Sequence, residues 1–256
     1  MRAALKHLVG LGMLIAALLF LVFYTPDRVQ LTEASEPGTL LSFHDEDGQW
    51  HKCSGERIGE NTWLTARHCA AKRDGGFYVE KGGSTIIEYR AHYIVREPGQ
   101  GVRNRVLTDV AVIGDRRDVS LAIGDLTQSY SRGENGLIVV RAWQDDGKWH
   151  ECRTRLQNAE WYNGTWNIQC RLRPGASGAV VWYVRDAEKY LSTHQTGSSA
   201  PNLASEKPVV GDGEALETWR RPGMEAVGVI STASTSGWNS ISGMEIVVEL
   251  LGRTTQ

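Results

Sequence analysis

The sequence predicts an all-β fold of short strands joined by tight turns. Glycine is frequent and proline scarce, 28 against 7 in 256 residues, the balance expected where many turns separate strands. Asp47-Gly48 and Asn163-Gly164 each stand between apolar or aromatic runs, and that placement is a strong local hairpin signal. The apolar runs themselves are short: Phe77 to Val79 and Ile86 to Ile94 are separated by Gly82-Gly83. Hydrophobic residues at 41% and charged residues at 23% are those of an ordinary globular chain. A net charge of −2 gives no electrostatic basis for binding nucleic acid.

The first 24 residues differ from the rest. Arg2 and Lys6 precede an uncharged run from Leu8 to Tyr24, rich in Leu, Ile, Val and Phe. That order favours a cytoplasmic N-terminus and an exported body. The run is long for the apolar core of a signal peptide and at the short limit of a spanning helix. We favour a signal anchor in residues 1–24 over a cleaved signal peptide; as an anchor, residues 8–24 would hold the protein in the membrane. All four cysteines follow residue 50, as suits a body in an oxidising space, secreted or membrane-anchored.

Residues 25–39 contain Pro26 and Pro37 among polar residues and read as a tether. Leu40 to Phe43 and Trp50 to Cys53 then flank the Asp47-Gly48 turn. His44, Asp45, Asp47 and His51 match no calcium or zinc spacing, so a solvated turn is expected and no metal is called for. Next, Cys53 and Cys69 bracket Trp63-Leu64-Thr65-Ala66-Arg67-His68. Bridged, they would close a loop of 69 − 53 = 16 residues, stabilising by about 3 kcal/mol. Either this is a plain structural bridge beside an ordinary histidine, or it fixes an imidazole for proton transfer.

Further on, Asp109 immediately precedes the buried-type strand Val110 to Ile113. Asp115, Asp118 and Asp125 lie in charged or turn-like surroundings and read as structural. The stretch from Gly114 to Gly136 reads as a crossover, and Leu137 to Trp143 and Trp149 to Leu156 as strands. Cys152 and Cys170 remain as a second pair. They are not equidistant from the Asn163-Gly164 turn, so they are not direct neighbours across one regular hairpin. After Cys170, the order Gly175-Ala176-Ser177-Gly178 leads into an apolar strand. Residues 185–222 form a long polar insertion, Met224 to Thr232 a further strand, and Ser242 with Glu245 has the spacing of a capping box before a closing helix.

Cys53-Ser54-Gly55 and Leu64-Thr65-Ala66-Arg67-His68-Cys69 resemble the histidine box of the chymotrypsin-like (trypsin-like) serine peptidases. Val106 to Ile113 is similar to that family's aspartate segment, and Gly175 to Ala179 to its serine box. The resemblance implies two six-stranded antiparallel Greek-key barrels, one over residues 40–120 and one over 121–256, with a short C-terminal helix. It implies a serine endopeptidase acting on protein or peptide substrates without a cofactor. Ser177 would attack, His68 would move the proton, and Asp109 would orient the imidazole. Backbone N–H groups of Gly175 and Ser177 would form the oxyanion hole. Arg171, six residues before the serine, would lie at the base of the primary pocket and favour an acidic side chain. Ser231 and Ala233 would line the substrate cleft. Ala176 stands where animal digestive members carry an aspartate that pairs with a newly released N-terminal amine, so no such activation step is expected. A non-catalytic homologue that binds protein is the alternative.

Overall fold

The computed structural model describes residues 30–34, 38–44, 48–59, 62–70, 77–81, 85–89, 93–95, 108–114, 119, 121–162, 164–193, 223–233 and 237–244. The expected anchor at 1–24, most of the 185–222 insertion, Asp115 and Asp118 lie outside these residues. Among them, no helix is long and apolar enough to cross a membrane.

The fold is mostly β, as expected. The first half supplies β2 (Thr39–His44), β3 (Trp50–Gly59), β4 (Thr62–Thr65), β5 (Phe77–Lys81), β6 (Thr85–Tyr89), β7 (Tyr93–Val95) and β8 (Ala111–Gly114). Among the described residues these pair as one sheet in the order β6-β5-β2-β3-β4-β8-β7. The second half supplies β9 (Leu137–Trp143), β10 (Trp149–Arg155), β11 (Glu160–Tyr162), β12 (Thr165–Ile168), β13 (Val180–Val184), β14 (Met224–Ala233) and β15 (Asn239–Gly243). They form a second sheet, β10-β9-β13-β14-β15-β12-β11, and its eighth strand is β1 (Gln30–Glu33), which pairs with β10 from outside. Among the described residues these pairings give sheets of seven and eight strands; barrels of six each were expected.

Residues 30–33, inside the tether expected over 25–39, form a strand. Four polar-rich residues, Gln-Leu-Thr-Glu, carry no alternation to read, yet every rung from Gln30↔Arg153 to Glu33↔His150 is formed. The strand covers the β10 edge, which otherwise presents unpaired backbone groups.

Period-2 alternation explains how the second sheet is buried on both faces. Leu137 and Val139 of β9, with Val180, Trp182 and Val184 of β13, join a core cluster shared with Leu41, Leu64 and Val112 of the first half. Ile138, Val140 and Ala142, with Val181 and Tyr183, face a second cluster containing Ile168, Ile230 and Ile241. Each fully buried aliphatic side chain contributes roughly 1.5–3 kcal/mol. Arg141 is a charged exception in β9. Its Nε donates to Glu151 Oε2 across the ladder at 2.5 Å, and Arg153 Nε donates to Glu151 Oε1 at 2.5 Å. Burial pushes the Glu151 carboxyl up, but the two guanidiniums outweigh it and hold the pKa below the usual glutamate value.

Both turn signals carry hairpins. Tyr162 pairs with Thr165 around residues 163 and 164, with Gly164 at φ 79°. His44 pairs with Trp50 around residues 45–49, with Gly48 at φ 76°. The crossover holds a helix, α2 (Leu126–Ser131), whose first N–H groups are capped by the Asp125 carboxylate at 2.8 and 3.1 Å. At the start of the expected insertion, α3 (Ala187–Thr193) buries Ala187 and Tyr190. The capping-box expectation at Ser242 is corrected: Ser242 lies inside β15, fully buried, because its strand pairs with Val229 on β14. Residues 245–251 lie outside the described residues.

Candidate active site

The histidine segment is assembled by β3, β4 and a one-turn helix, α1 (Arg67–Ala70). The strand ends at Thr65, and His68 sits in this helix. Cys53 on β3 and Cys69 on α1 are bridged, with Cα atoms 6.3 Å apart. Cys69 is fully buried while the His68 side chain keeps 48% of its exposure. The bridge thus anchors the helix under an imidazole that faces solvent.

Asp109 lies two residues before β8 and is 8% exposed. Its Oδ2 is 2.7 Å from His68 Nδ1, and its Oδ1 accepts the His68 backbone N–H at 2.9 Å. A carboxylate only accepts, so Nδ1 is the donor in this pair. Ser231 on β14 is buried and donates its hydroxyl to Asp109 Oδ2 at 2.5 Å. Ser231, expected to line the cleft, thus has its side-chain hydroxyl on this carboxylate. Burial pushes the Asp109 carboxyl up, and the hydrogen bonds from His68 and Ser231 more than offset this, so its pKa falls below the usual aspartate value.

The serine segment is two consecutive turns. Ala176 N–H donates to Arg173 O at 3.1 Å with Gly175 at φ 96°, and Ala179 N–H donates to Ala176 O at 3.1 Å with Gly178 at φ 87°. Positive φ at the third position is the signature of a type II turn, and Pro174 at the second position suits it. Ser177 is half-buried between them. Three contacts bring it to the histidine segment. Ser54 N–H donates to both Gly175 O and Ser177 O at 2.9 Å, and the bridged Cys69 Sγ, which has no proton to give, lies 3.9 Å from Ser177 O. On the other side, Gly178 N–H donates to Ile230 O at 2.8 Å, next to Ser231.

The remaining site residues fall around these. Arg171 is exposed, at φ 51°, with its N–H donating to Gly237 O at 2.9 Å. Expected at the base of the primary pocket, it keeps its side chain open to solvent. Ala233 closes β14 opposite Asn239. Cys152 and Cys170 are bridged, with Cα atoms 5.7 Å apart. They join β10 to the residue two past β12, which is why the hairpin spacing did not apply. Among the described residues, one cluster of His, Cys, Asp or Glu ligand atoms is close enough for a metal, Cys53, His68 and Cys69. Both of its sulfurs are committed to the bridge.

Two residues were missed from the sequence. Ser54 stood in the middle of Cys53-Ser54-Gly55, where only the flanking residues carried a signal. Asn239, fully buried, accepts the Leu172 N–H at 3.3 Å and donates to Thr232 O at 3.3 Å, tying the loop after Cys170 to β14. A lone asparagine at a strand start gives no sequence signal of this.

Strand order, the histidine helix and the double turn before β13 define a chymotrypsin-like β fold, and comparison with solved structures agrees. The chain is similar to the thermostable serine protease AL20 from an extremophilic microorganism, at 12% identity and a TM-score of 0.51, covering 84% of this chain and 95% of that one. It is similar to a Glu endopeptidase, at 14% identity and a TM-score of 0.50, covering 89% and 97%. It is also similar to the VesB protease of Vibrio cholerae, at 14% identity and a TM-score of 0.51, covering 87% and 66%. No family profile and no curated protein sequence matches the chain.

Proposed function

We propose that this chain is an exported serine endopeptidase that cleaves peptide bonds through an acyl-enzyme on Ser177. The observation that carries this is the His68–Asp109 pair: an exposed imidazole whose Nδ1 is held at 2.7 Å by a buried carboxylate. His68 Nε2 takes the Ser177 proton as Oγ attacks the carbonyl, and returns it to the leaving amine. Asp109 fixes the tautomer and stabilises the imidazolium. Gly175 and Ser177 N–H groups receive the oxyanion. The two sheets curl as the paired barrels of this fold, one over residues 40–120 and one over 121–256. Two disulfides support an oxidising location for the body, with residues 8–24 as its anchor. A fluorophosphonate probe tests the assignment. Folded wild type is expected to be labelled and Ser177→Ala not, and an unlabelled wild type would leave the protein-binding alternative.

For specificity we infer a preference for cleavage after acidic residues, read by Arg171. A non-glycine residue at positive φ is strained and is retained where the surroundings enforce it. Here that residue carries an exposed guanidinium beside the loop that leads to Ser177, and one structural relative is a Glu endopeptidase. Cleavage profiling is expected to favour Glu and Asp over Lys and Phe, with the preference lost in Arg171→Ala. An unchanged profile in that variant removes Arg171 from recognition.

A further inference from the structure

We propose that Ser54 is a positioning residue that, together with the Trp143 ring, holds the Pro174–Gly175 turn, and with it the Gly175 N–H of the oxyanion hole, in place against β3. The inference rests on the peptidase reading and adds a group that lies outside the triad.

Ser54 is fully buried in the middle of β3. Its hydroxyl donates to Gly175 O at 2.9 Å and accepts the Trp143 N–H at 2.9 Å. Its own N–H reaches the same Gly175 carbonyl at 2.9 Å. One residue therefore occupies both lone pairs of that oxygen. The peptide unit is held at its other end as well, because Ala176 N–H donates to Arg173 O. From the opposite side, the Trp143 ring lies against Gly175 so closely that an added Cβ would come within 2.5 Å of it.

These contacts fix where the turn sits against β3. The central peptide of the turn joins Pro174 to Gly175 and carries the Gly175 N–H, and it is attached to the Gly175 Cα that the ring and the two Ser54 bonds hold. If Gly175 shifts away from β3, that donor shifts with it relative to His68, which β3 and β4 also position. Ala176 is apolar and fully buried, so its own side chain forms no ion pair that could hold the turn. The Ser54 hydroxyl and the Trp143 ring hold it from outside.

The test uses the fluorophosphonate probe on full-length protein, with kinact and KI measured separately for wild type, Ser54→Ala and Trp143→Leu. Thermal unfolding is followed in parallel. A hole that is less often formed should lower kinact by about ten- to a hundredfold. KI should stay within about threefold, because probe binding before reaction does not use the oxyanion donor. Both variants are expected to show this split while still melting cooperatively. If Ser54→Ala does not fold, Trp143→Leu decides alone, since it removes the ring and keeps the backbone N–H. Unchanged kinact in the folded variants overturns the proposal and leaves the peptidase reading in place. An unlabelled wild type removes both.

Discussion

Asp109→Asn is expected to lower kcat by on the order of 10⁴ while the protein stays folded. The size follows from the tautomer. The Asp109 carboxylate only accepts, and it takes both the His68 Nδ1 proton and the His68 backbone N–H. An asparagine that keeps the backbone bond through its oxygen presents its NH₂ to Nδ1. The ring proton is then driven to Nε2, where it blocks removal of the Ser177 proton. Burst titration and steady-state rates on the same preparation measure the loss, and a fall of less than about tenfold would remove Asp109 from the mechanism. A pH arm checks the electrostatics. The folded-state pKa of Asp109 is depressed, so its stabilisation is fully present above the unfolded aspartate value and is lost as pH falls through the folded one. Wild-type melting temperature should therefore decline in acid more steeply than that of Asp109→Asn. Glu151 shifts in the same direction and is common to both, so the difference between the curves belongs to Asp109.

Gly178→Ala is expected to destabilise the fold by more than about 3 kcal/mol and to abolish labelling of Ser177. A Cβ at this position would lie 2.1 Å from Thr65 Oγ1, 2.2 Å from Ser54 O and 2.9 Å from Ala66 N. Two of these three atoms are backbone of β3 and of the residue between β4 and α1, which cannot step aside without moving His68. The φ of 87° adds its own cost for any side chain. Gly48→Ala is the control, at φ 76° with nothing within 4 Å of the new carbon; it should cost only about 1 kcal/mol. Urea midpoints for the two variants compare them directly. Equal costs would mean that the serine turn is not pressed against the histidine segment.

The sequence revealed local signals with steric or electronic causes. Asn163-Gly164 marked its hairpin because Gly164 takes φ 79°, and Asp109 was visible because a charged residue against an apolar strand is conspicuous. His68 was visible through its flanking cysteines, and Ser177 through glycines that both adopt positive φ. Hidden features were those set by partners distant in the chain. The contact of Ser231 was hidden because nothing local says that its hydroxyl meets a carboxylate 122 residues away. Ser242 looked like a helix cap because its spacing to Glu245 satisfies a local rule, yet pairing with β14 buried it in a strand. In α3 a local signal was overlooked: Asp186 caps the Lys189 N–H at 3.0 Å, but the polar stretch around it concealed the buried Ala187 and Tyr190.

The docking of β1 on β10 has a consequence for the order in which the molecule closes. Gln30 meets Arg153, a partner 153 − 30 = 123 residues further along the chain. That pairing closes a long loop, and its entropy is repaid only once β9 and β10 are in place. Among the described residues, the strand nearest the N-terminus is therefore among the last to be seated.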